Sequence, residues 1–433
     1  MSEAQLQTNA AGHLSIGGYD AVTLATEFQT PLVVYDVAKI RQQIRDFKQV
    51  FNEENINYAV SYASKAFATI AMYQVVAQEG AHIDVVSGGE LYTAMQADFP
   101  MADVSFHGNN KAYAELEMAV DAQVGAIIVD NFDELAMLTT ILAAKDTRVN
   151  VMLRLTPGIS AHTHEYDQTG QTDSKFGFDI ESGQARQALD FVLANDRFQM
   201  RGIHAHIGSQ IFEVTGFVAA AEKLVATIVE WRDAIGYEPE VINVGGGFGI
   251  RYTTDDDPIP ASDFVKAIIQ AVKQATATNH LAMPAIWIEP GRSIVGEAGY
   301  SLYTVGTRKV VPDLLPYINV DGGMGDNIRP ALYQAKYEAI LANNPQAPTT
   351  RKVRISGKYC ESGDILVYEQ DMPAVQTGDI IALLATGAYG YSMASNYNRN
   401  PRPAVVFIEN GAAKVVVERE TYADLVRLDR SYL

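Results

Sequence analysis

The residues most able to do chemistry fall in short, separated stretches of the chain. One is Tyr62-Ala63-Ser64-Lys65-Ala66-Phe67, a lysine amid small and apolar neighbours, which suits an amine that forms a Schiff base. A second is His204-Ala205-His206-Ile207-Gly208-Ser209-Gln210. Its histidines suit either a metal pair, to which His162 and His164 could add ligands, or an aromatic plate for a flat cofactor whose phosphate Ser209 would bond. A third is Gly245-Gly246-Gly247-Phe248-Gly249, where consecutive glycines let backbone amides converge on an anion. The last is Glu289-Pro290-Gly291-Arg292, whose carboxylate can pair with a pyridinium nitrogen and keep such a ring an electron sink. Taken singly, each has an ordinary explanation: a solvated lysine, packed histidines, a plain turn, a rim ion pair. Their joint placement is what gives them weight.

That placement depends on the elements around them. Runs of β-branched and apolar residues alternate with segments of helical period. The expected strands are Tyr58–Ala63, His82–Val86, Val104–His107, Ala126–Val129, Asn150–Leu155, Gly202–Ile207, Val241–Val244 and Ile286–Ile288, with helices between them and one, Val37–Asn52, ahead of the first. Eight β-α units in about 250 residues predict a (β/α)8, TIM-like barrel. A doubly wound open sheet would carry its glycine-rich turn after the first strand, where this chain has Ser64-Lys65. Barrel chemistry sits at the C-terminal ends of strands. By this reading Lys65 ends strand one, the His204–His206 pair strand six, the glycine run strand seven and Glu289 strand eight. Beyond Gly291 strand-like runs predominate and predict an all-β domain, a sandwich or barrel, which the early strand Leu32–Tyr35 is placed to join. The expected division is an N-terminal segment 1–36 packing with the β domain, a cofactor-binding barrel 37–292 and a C-terminal β domain 293–433.

Composition narrows the partners. Across 433 residues the formal charge is −19, which disfavours nucleic acid and anionic membrane. The polar start Met1–His13 lacks the pattern of a signal peptide, no apolar run is long enough for a membrane span, and Cys360 is the single cysteine, so a reducing cytoplasm is expected. Asp255-Asp256-Asp257 reads as a solvated acidic loop.

In order along the chain, these stretches resemble the barrel-type pyridoxal-phosphate decarboxylases, and among them those that act on diaminopimelate. The resemblance also runs through Asp84–Leu91, Ser174-Lys175-Phe176-Gly177, Cys360-Glu361-Ser362-Gly363-Asp364 and Gly387-Ala388-Tyr389-Gly390. It implies pyridoxal 5'-phosphate as cofactor, held by Lys65. It implies that His206 stacks on the ring, that Ser209, Gly246, Gly247 and Tyr389 bind the phosphate, and that Glu289 meets the ring nitrogen. It further implies a homodimer with shared sites, in which Cys360 from the partner helps to protonate the carbanion left after CO2 departs. No metal is expected. Ala66-Phe67 stands where the family more often has Ala-Asn.

The substrate expected is meso-diaminopimelate, decarboxylated to L-lysine. Its distal end carries both a carboxylate and an ammonium. Arg292 and Arg329 can fork the former, Glu361 and Ser362 can hold the latter, and Tyr333 lies four residues beyond Arg329, one turn if this stretch is helical. Three alternatives stand beside this reading. One is a decarboxylase of ornithine, arginine or lysine, which would more readily carry acidic groups near Arg329. Another is a non-catalytic homologue, which should have lost Lys65, the glycine run or Cys360. The third is a metal-dependent hydrolase built on His162, His164, His204 and His206. The polar stretch around Thr169-Gly170 and Ser174–Gly177 is a candidate lid.

Overall fold

The computed structural model describes residues 7–159 and 174–433, so His162, His164, Thr169 and Gly170 lie outside the described residues. The chain forms two compact units, residues 41–250 with 258–293, and residues 1–40 with 251–257 and 294–433.

The first unit is a closed parallel barrel. Its strands in order are Tyr58–Ala63, His82–Val85, Val104–Phe106, Ala126–Val129, Val149–Thr156, Phe198–His204, Val241–Asn243 and Ala285–Ile288. Closure comes from the eighth strand pairing with the first, Trp287 opposite Ala59, while strands five and six pair with Leu153 opposite Ile203. Inside the barrel, small and large side chains interlock: Ala59 and Ala126 pack with Met152, Ile128, Val241 and Trp287. Gly202 is part of this fit, since a Cβ there would fall 2.4 Å from the Val241 carbonyl oxygen. Phe178–Asp179 adds a short ninth strand beside strand five.

Strand six departs from expectation. It begins earlier, at Phe198, and ends at His204, with a bulge between Met200 and Gly202. Its ladder to strand seven stops at Asn243, because the chain turns there into the glycine run. His206 therefore lies beyond the strand, and His204 and His206 do not share one strand face.

The second unit is built on a nine-stranded sheet. The strand Leu32–Asp36 lies inside it, antiparallel to Gly299–Lys309 and parallel to Ala404–Glu409. Every residue of that strand is buried, and Leu32 and Val34 join Leu24, Leu302, Ala382, Val406 and Ile408 in one apolar core. Two strands of this sheet went unanticipated, Ala339–Leu341 and Ile365–Met372. The latter is apolar and buried at Ile365–Val367 and again only at Met372. Its Tyr368–Asp371 half is mostly exposed and pairs with Arg351–Ser356, where Lys352 meets Glu369 at 2.5 Å. No helix among the described residues is long and apolar enough to cross a membrane.

Candidate active site

Barrel strand one ends at Ala63, and a short 3-10 turn, Ser64–Ala66, carries Lys65 outward. Ser64 and Ala66 are buried while Lys65 is exposed. Gly291 is pressed against this turn: a Cβ on it would meet Ala63 Cβ at 2.8 Å. The Ser64 amide donates to Asp84 Oδ1 at 3.2 Å, and the Lys65 charge acts on Asp84, Glu90 and His206.

Glu289, at the end of strand eight, is the centre of the barrel cluster. Its Oε1 accepts from Asn243 Nδ2 at 2.7 Å, and its Oε2 lies 3.1 Å from His204 Nε2. His107 Nε2 also lies 3.1 Å from Oε1, as a close charge-dipole contact without hydrogen-bond alignment. Burial by itself would raise the Glu289 carboxyl, but His107 and His204 hold it well below the usual range, so it is an anion. Burial pushes His204 down to about 4, so its ring is neutral and donates from Nε2. This arrangement surrounds an anion with donors. The ligand atoms of His107, His204 and Glu289 do lie within 4.8 Å of one another, close enough for a metal ion. However, His204 directs a proton rather than a lone pair toward the carboxylate.

Asn243 also fixes the glycine run, its Oδ1 accepting from the Gly245 amide at 2.9 Å. No side chain fits there. A Cβ on Gly246 would fall 1.9 Å from the Glu289 carbonyl oxygen, and one on Gly247, at φ +112°, would fall 2.2 Å from that of Gly208. The half-buried His206 accepts the Gly246 amide at Nδ1, 3.3 Å away. Burial and the Lys65 and Arg154 charges push His206 well down, leaving it neutral. The loops after strands six and seven are zipped together by Ile211 with Gly247 and Gly249, and by Gln210 with Ile250. Arg292, buried, donates from Nη2 to Ser209 Oγ at 2.9 Å.

The structure thus links Lys65, His206, Ser209, Gly246, Gly247, Glu289 and Arg292 at one end of the barrel. It does not join His204 and His206 as a pair, which removes the His-x-His metal reading: His204 serves Glu289, and His206 serves the glycine run. Sequence reasoning gave no role to Asp84, His107, Arg154 or Asn243. Three of them carried a signal, a polar residue interrupting an apolar strand: Ile83-Asp84-Val85, Leu153-Arg154-Leu155 and Ile242-Asn243-Val244.

In the other unit, Arg329 opens the short helix Arg329–Tyr333, which bears out the helical turn expected between Arg329 and Tyr333. Its guanidinium is buried, and Nη1 donates to Tyr252 Oη at 2.8 Å and Tyr337 Oη at 2.9 Å. The Tyr252, Tyr337 and Tyr389 rings lie 5.1, 5.9 and 6.0 Å from it. No Asp or Glu among the described residues pairs with it. Burial would disfavour its charge, but Tyr252 and Tyr337 outweigh that and keep it a cation. Tyr252 and Tyr337 left no sequence signal.

Cys360, Glu361 and Ser362 are exposed, with Ser362 Oγ 3.5 Å from Glu361 Oε1. Buried Asp364 shapes their loop by accepting from the amides of Met324 and Tyr359. Tyr389 is half-buried in the left-handed region, φ +59°. It follows Gly387, where a Cβ would fall 1.9 Å from the Val295 carbonyl oxygen.

Residues 37–296 match the family model for the pyridoxal-dependent decarboxylase, pyridoxal binding domain. The diaminopimelate decarboxylase of Bacillus methanolicus is 57% identical over 414 residues, 96% of both chains. That of Bacillus subtilis strain 168 is 55% identical over 97% of this chain and 96% of its own. The crystal structure of diaminopimelate decarboxylase from M. jannaschii in complex with L-lysine superposes with a TM-score of 0.93, at 35% identity and 98% coverage of each chain. By sequence and by fold, the chain belongs to the pyridoxal-dependent decarboxylases, and within them to the diaminopimelate decarboxylases.

Proposed function

We infer that the chain is a carboxy-lyase that converts meso-diaminopimelate to L-lysine and CO2 with pyridoxal phosphate. The barrel cluster fits that cofactor. The glycine run admits no side chain, so a phosphate can approach its backbone closely, Glu289 is a buried anion for a ring nitrogen, His206 is a neutral ring, and Lys65 is an accessible amine. When bound, the cofactor supplies the electron sink for the pair released as the Cα–carboxylate bond breaks.

The residues act as follows in this reading. Lys65 Nζ would attach the cofactor, and His206 would offer its ring a flat surface. Ser209, Tyr389 and the backbone at Gly246 and Gly247 would hold its phosphate. Glu289 would hold a proton at the ring nitrogen, the form of the ring that accepts charge. The enzyme works as a homodimer, in which Cys360 Sγ of the partner subunit delivers a proton to Cα after CO2 has left. A reducing cytoplasm would keep that thiol free.

The observation that carries the substrate is Arg329. A buried guanidinium without an acidic partner is costly unless an anion comes to it. The distal carboxylate of meso-diaminopimelate is such an anion, whereas the ammonium tails of lysine, ornithine and arginine offer Arg329 nothing. Arg292 would share the carboxylate, Glu361 and Ser362 would take the distal ammonium, and Tyr333 would line the same end.

The test is CO2 release across meso-diaminopimelate, lysine, ornithine and arginine. Wild type should prefer meso-diaminopimelate strongly. Arg329→Ala should cut its kcat/KM by roughly 30- to several-thousand-fold while barely touching lysine, the range expected for losing one charged partner of a buried group. A wild-type preference for lysine, or an unmoved ratio in Arg329→Ala, would refute the assignment.

A further inference from the structure

Arg329 does more than sit in a buried place; the way it is held decides which of its edges is offered. A guanidinium has five N–H donors, two of them on Nη1. The phenol oxygens at 2.8 and 2.9 Å are positioned to take both of those. The donors that remain lie on Nε and Nη2, which together form the edge whose two parallel N–H groups match the two oxygens of a carboxylate. The phenols themselves are well fixed. Tyr252 and Tyr337 are buried, and their rings pack edge to face, 5.3 Å apart at 85°.

We propose that Tyr252 and Tyr337 are specificity-determining positioning residues, which clamp Arg329 Nη1 so that the Nε–Nη2 edge is presented to a ligand carboxylate. The proposal rests on the reading of Arg329 as the distal-carboxylate site and adds to it. Carboxylate recognition is shared among three side chains, two of which never touch the ligand. The choice of phenols is physically sensible. A carboxylate in place of either hydroxyl would neutralise the guanidinium and compete with the ligand, whereas a phenol accepts the hydrogen bond and leaves the charge available. The clamp also limits the rotation of a long side chain, so less freedom is lost when the ligand binds.

Two ligands separate this effect from general damage. L-Lysine, the product, keeps the carboxylate that decarboxylation does not remove. Cadaverine is the same carbon chain without any carboxylate. Both are measured as inhibitors of the holoenzyme, wild type against Tyr252→Phe, Tyr337→Phe and the double variant. Each single variant should weaken L-lysine about tenfold, the scale of one hydrogen bond to a charged group, and should raise KM for meso-diaminopimelate with less change in kcat. Cadaverine inhibition and cofactor absorbance should stay as in wild type. If the variants weaken cadaverine as much as lysine, the tyrosines are only structural and the proposal fails. If they leave lysine unchanged while Arg329→Ala abolishes its advantage over cadaverine, the clamp is wrong but the carboxylate site stands. If Arg329→Ala itself leaves that advantage intact, both fall.

Discussion

Two buried carboxylates in the barrel, Glu134 and Glu289, are held in opposite ways. Lys111 and Glu134 form an ion pair at 2.7 Å with almost no exposure on either side chain. Lys111 also donates to the carbonyls of Gly108 and Ile128, and Glu134 accepts the Asp130 amide. Burial lowers the lysine and raises the glutamate, and each partly offsets that shift in the other. Among the described residues no Lys or Arg forms an ion pair with Glu289. Its donors are the side-chain amide of Asn243 and the ring of His204, with the His107 ring in close contact, and burial holds both rings toward the neutral form. A pair that cancels itself has no charge left for a ligand. A charge surrounded by neutral dipoles keeps its field, and Arg329 among its tyrosines is the cationic version of the same device.

The comparison can be broken by replacing one member of each set. Glu289→Gln should reduce turnover by roughly 30- to several-thousand-fold, the cost of a lost charged interaction, while the melting temperature changes little. Lys111→Met should do the reverse. It should lower unfolding stability by about 3–5 kcal/mol, because Glu134 is left buried and unpaired, while the cofactor absorbance of the protein that does fold is normal. Adding Glu134→Leu should recover most of that loss, since a buried pair can be exchanged for apolar side chains at little net cost. Urea unfolding measures the second and third changes, and steady-state kinetics the first. Equal stability losses in Glu289→Gln and Lys111→Met would erase the distinction.

Removing a neutral donor from the Glu289 set should have a smaller effect. His204→Leu takes away one hydrogen bond to an anion, worth about 1.5–3 kcal/mol. The apoprotein should then bind pyridoxal phosphate roughly 10- to 100-fold more weakly, and His204→Gln, which can still donate, should recover part of the affinity. A titration of apoprotein with the cofactor reads this without any turnover. Unchanged affinity in His204→Leu would mean that Asn243 and His107 suffice.

Much of this was legible because barrel strands are buried on both sides and read as short apolar runs. Tyr58–Ala63 and Ala126–Val129 were placed to the residue. The ligand-facing stretches were legible for a related reason: they interrupt such runs with Lys, Gly or Glu at strand ends. What surrounds them was not. His107 and His204 reach Glu289 from strands three and six, far apart in sequence, and only barrel closure brings them together. Tyr252 and Tyr337 sit in loops with no period to mark them, and Tyr252 belongs to a short segment, 251–257, that packs with the β unit while its flanks belong to the barrel. The strand Ile365–Met372 was missed because half of it is polar and exposed, so its pairing rather than its composition makes it a strand.

Glu90 is the intermediate case, and it sharpens the comparison most finely. Like Glu289 it is a largely buried carboxyl near Lys65, but among the described residues its one strong donor is the Val86 amide at 2.7 Å. Burial, with the Asp84 charge, pushes it up to about 7 against that amide and the Lys65 charge. One donor is too few to hold the anion, whereas the Glu289 set holds one well below the usual range. The sign for stability follows from linkage. Below the ordinary carboxyl range both folded and unfolded chains keep the proton and Glu90 has no effect. As pH rises from about 4.5 to about 7 the unfolded chain releases its proton while the folded chain retains it, so stability falls through that window and stays lower above it. Glu90→Gln, which keeps the acceptor for Val86, should remove this loss: little change in melting temperature at pH 4, and a gain of at most about 3 kcal/mol at pH 8. His204, held down to about 4, should act with the opposite sign, costing stability as pH falls from 6.5 through that value. Melting of wild type and Glu90→Gln across pH 4–8 tests the argument. If the two curves run parallel, the Val86 amide and Lys65 stabilise the Glu90 anion as fully as His107, His204 and Asn243 stabilise Glu289, and donor number is not what separates the two acids.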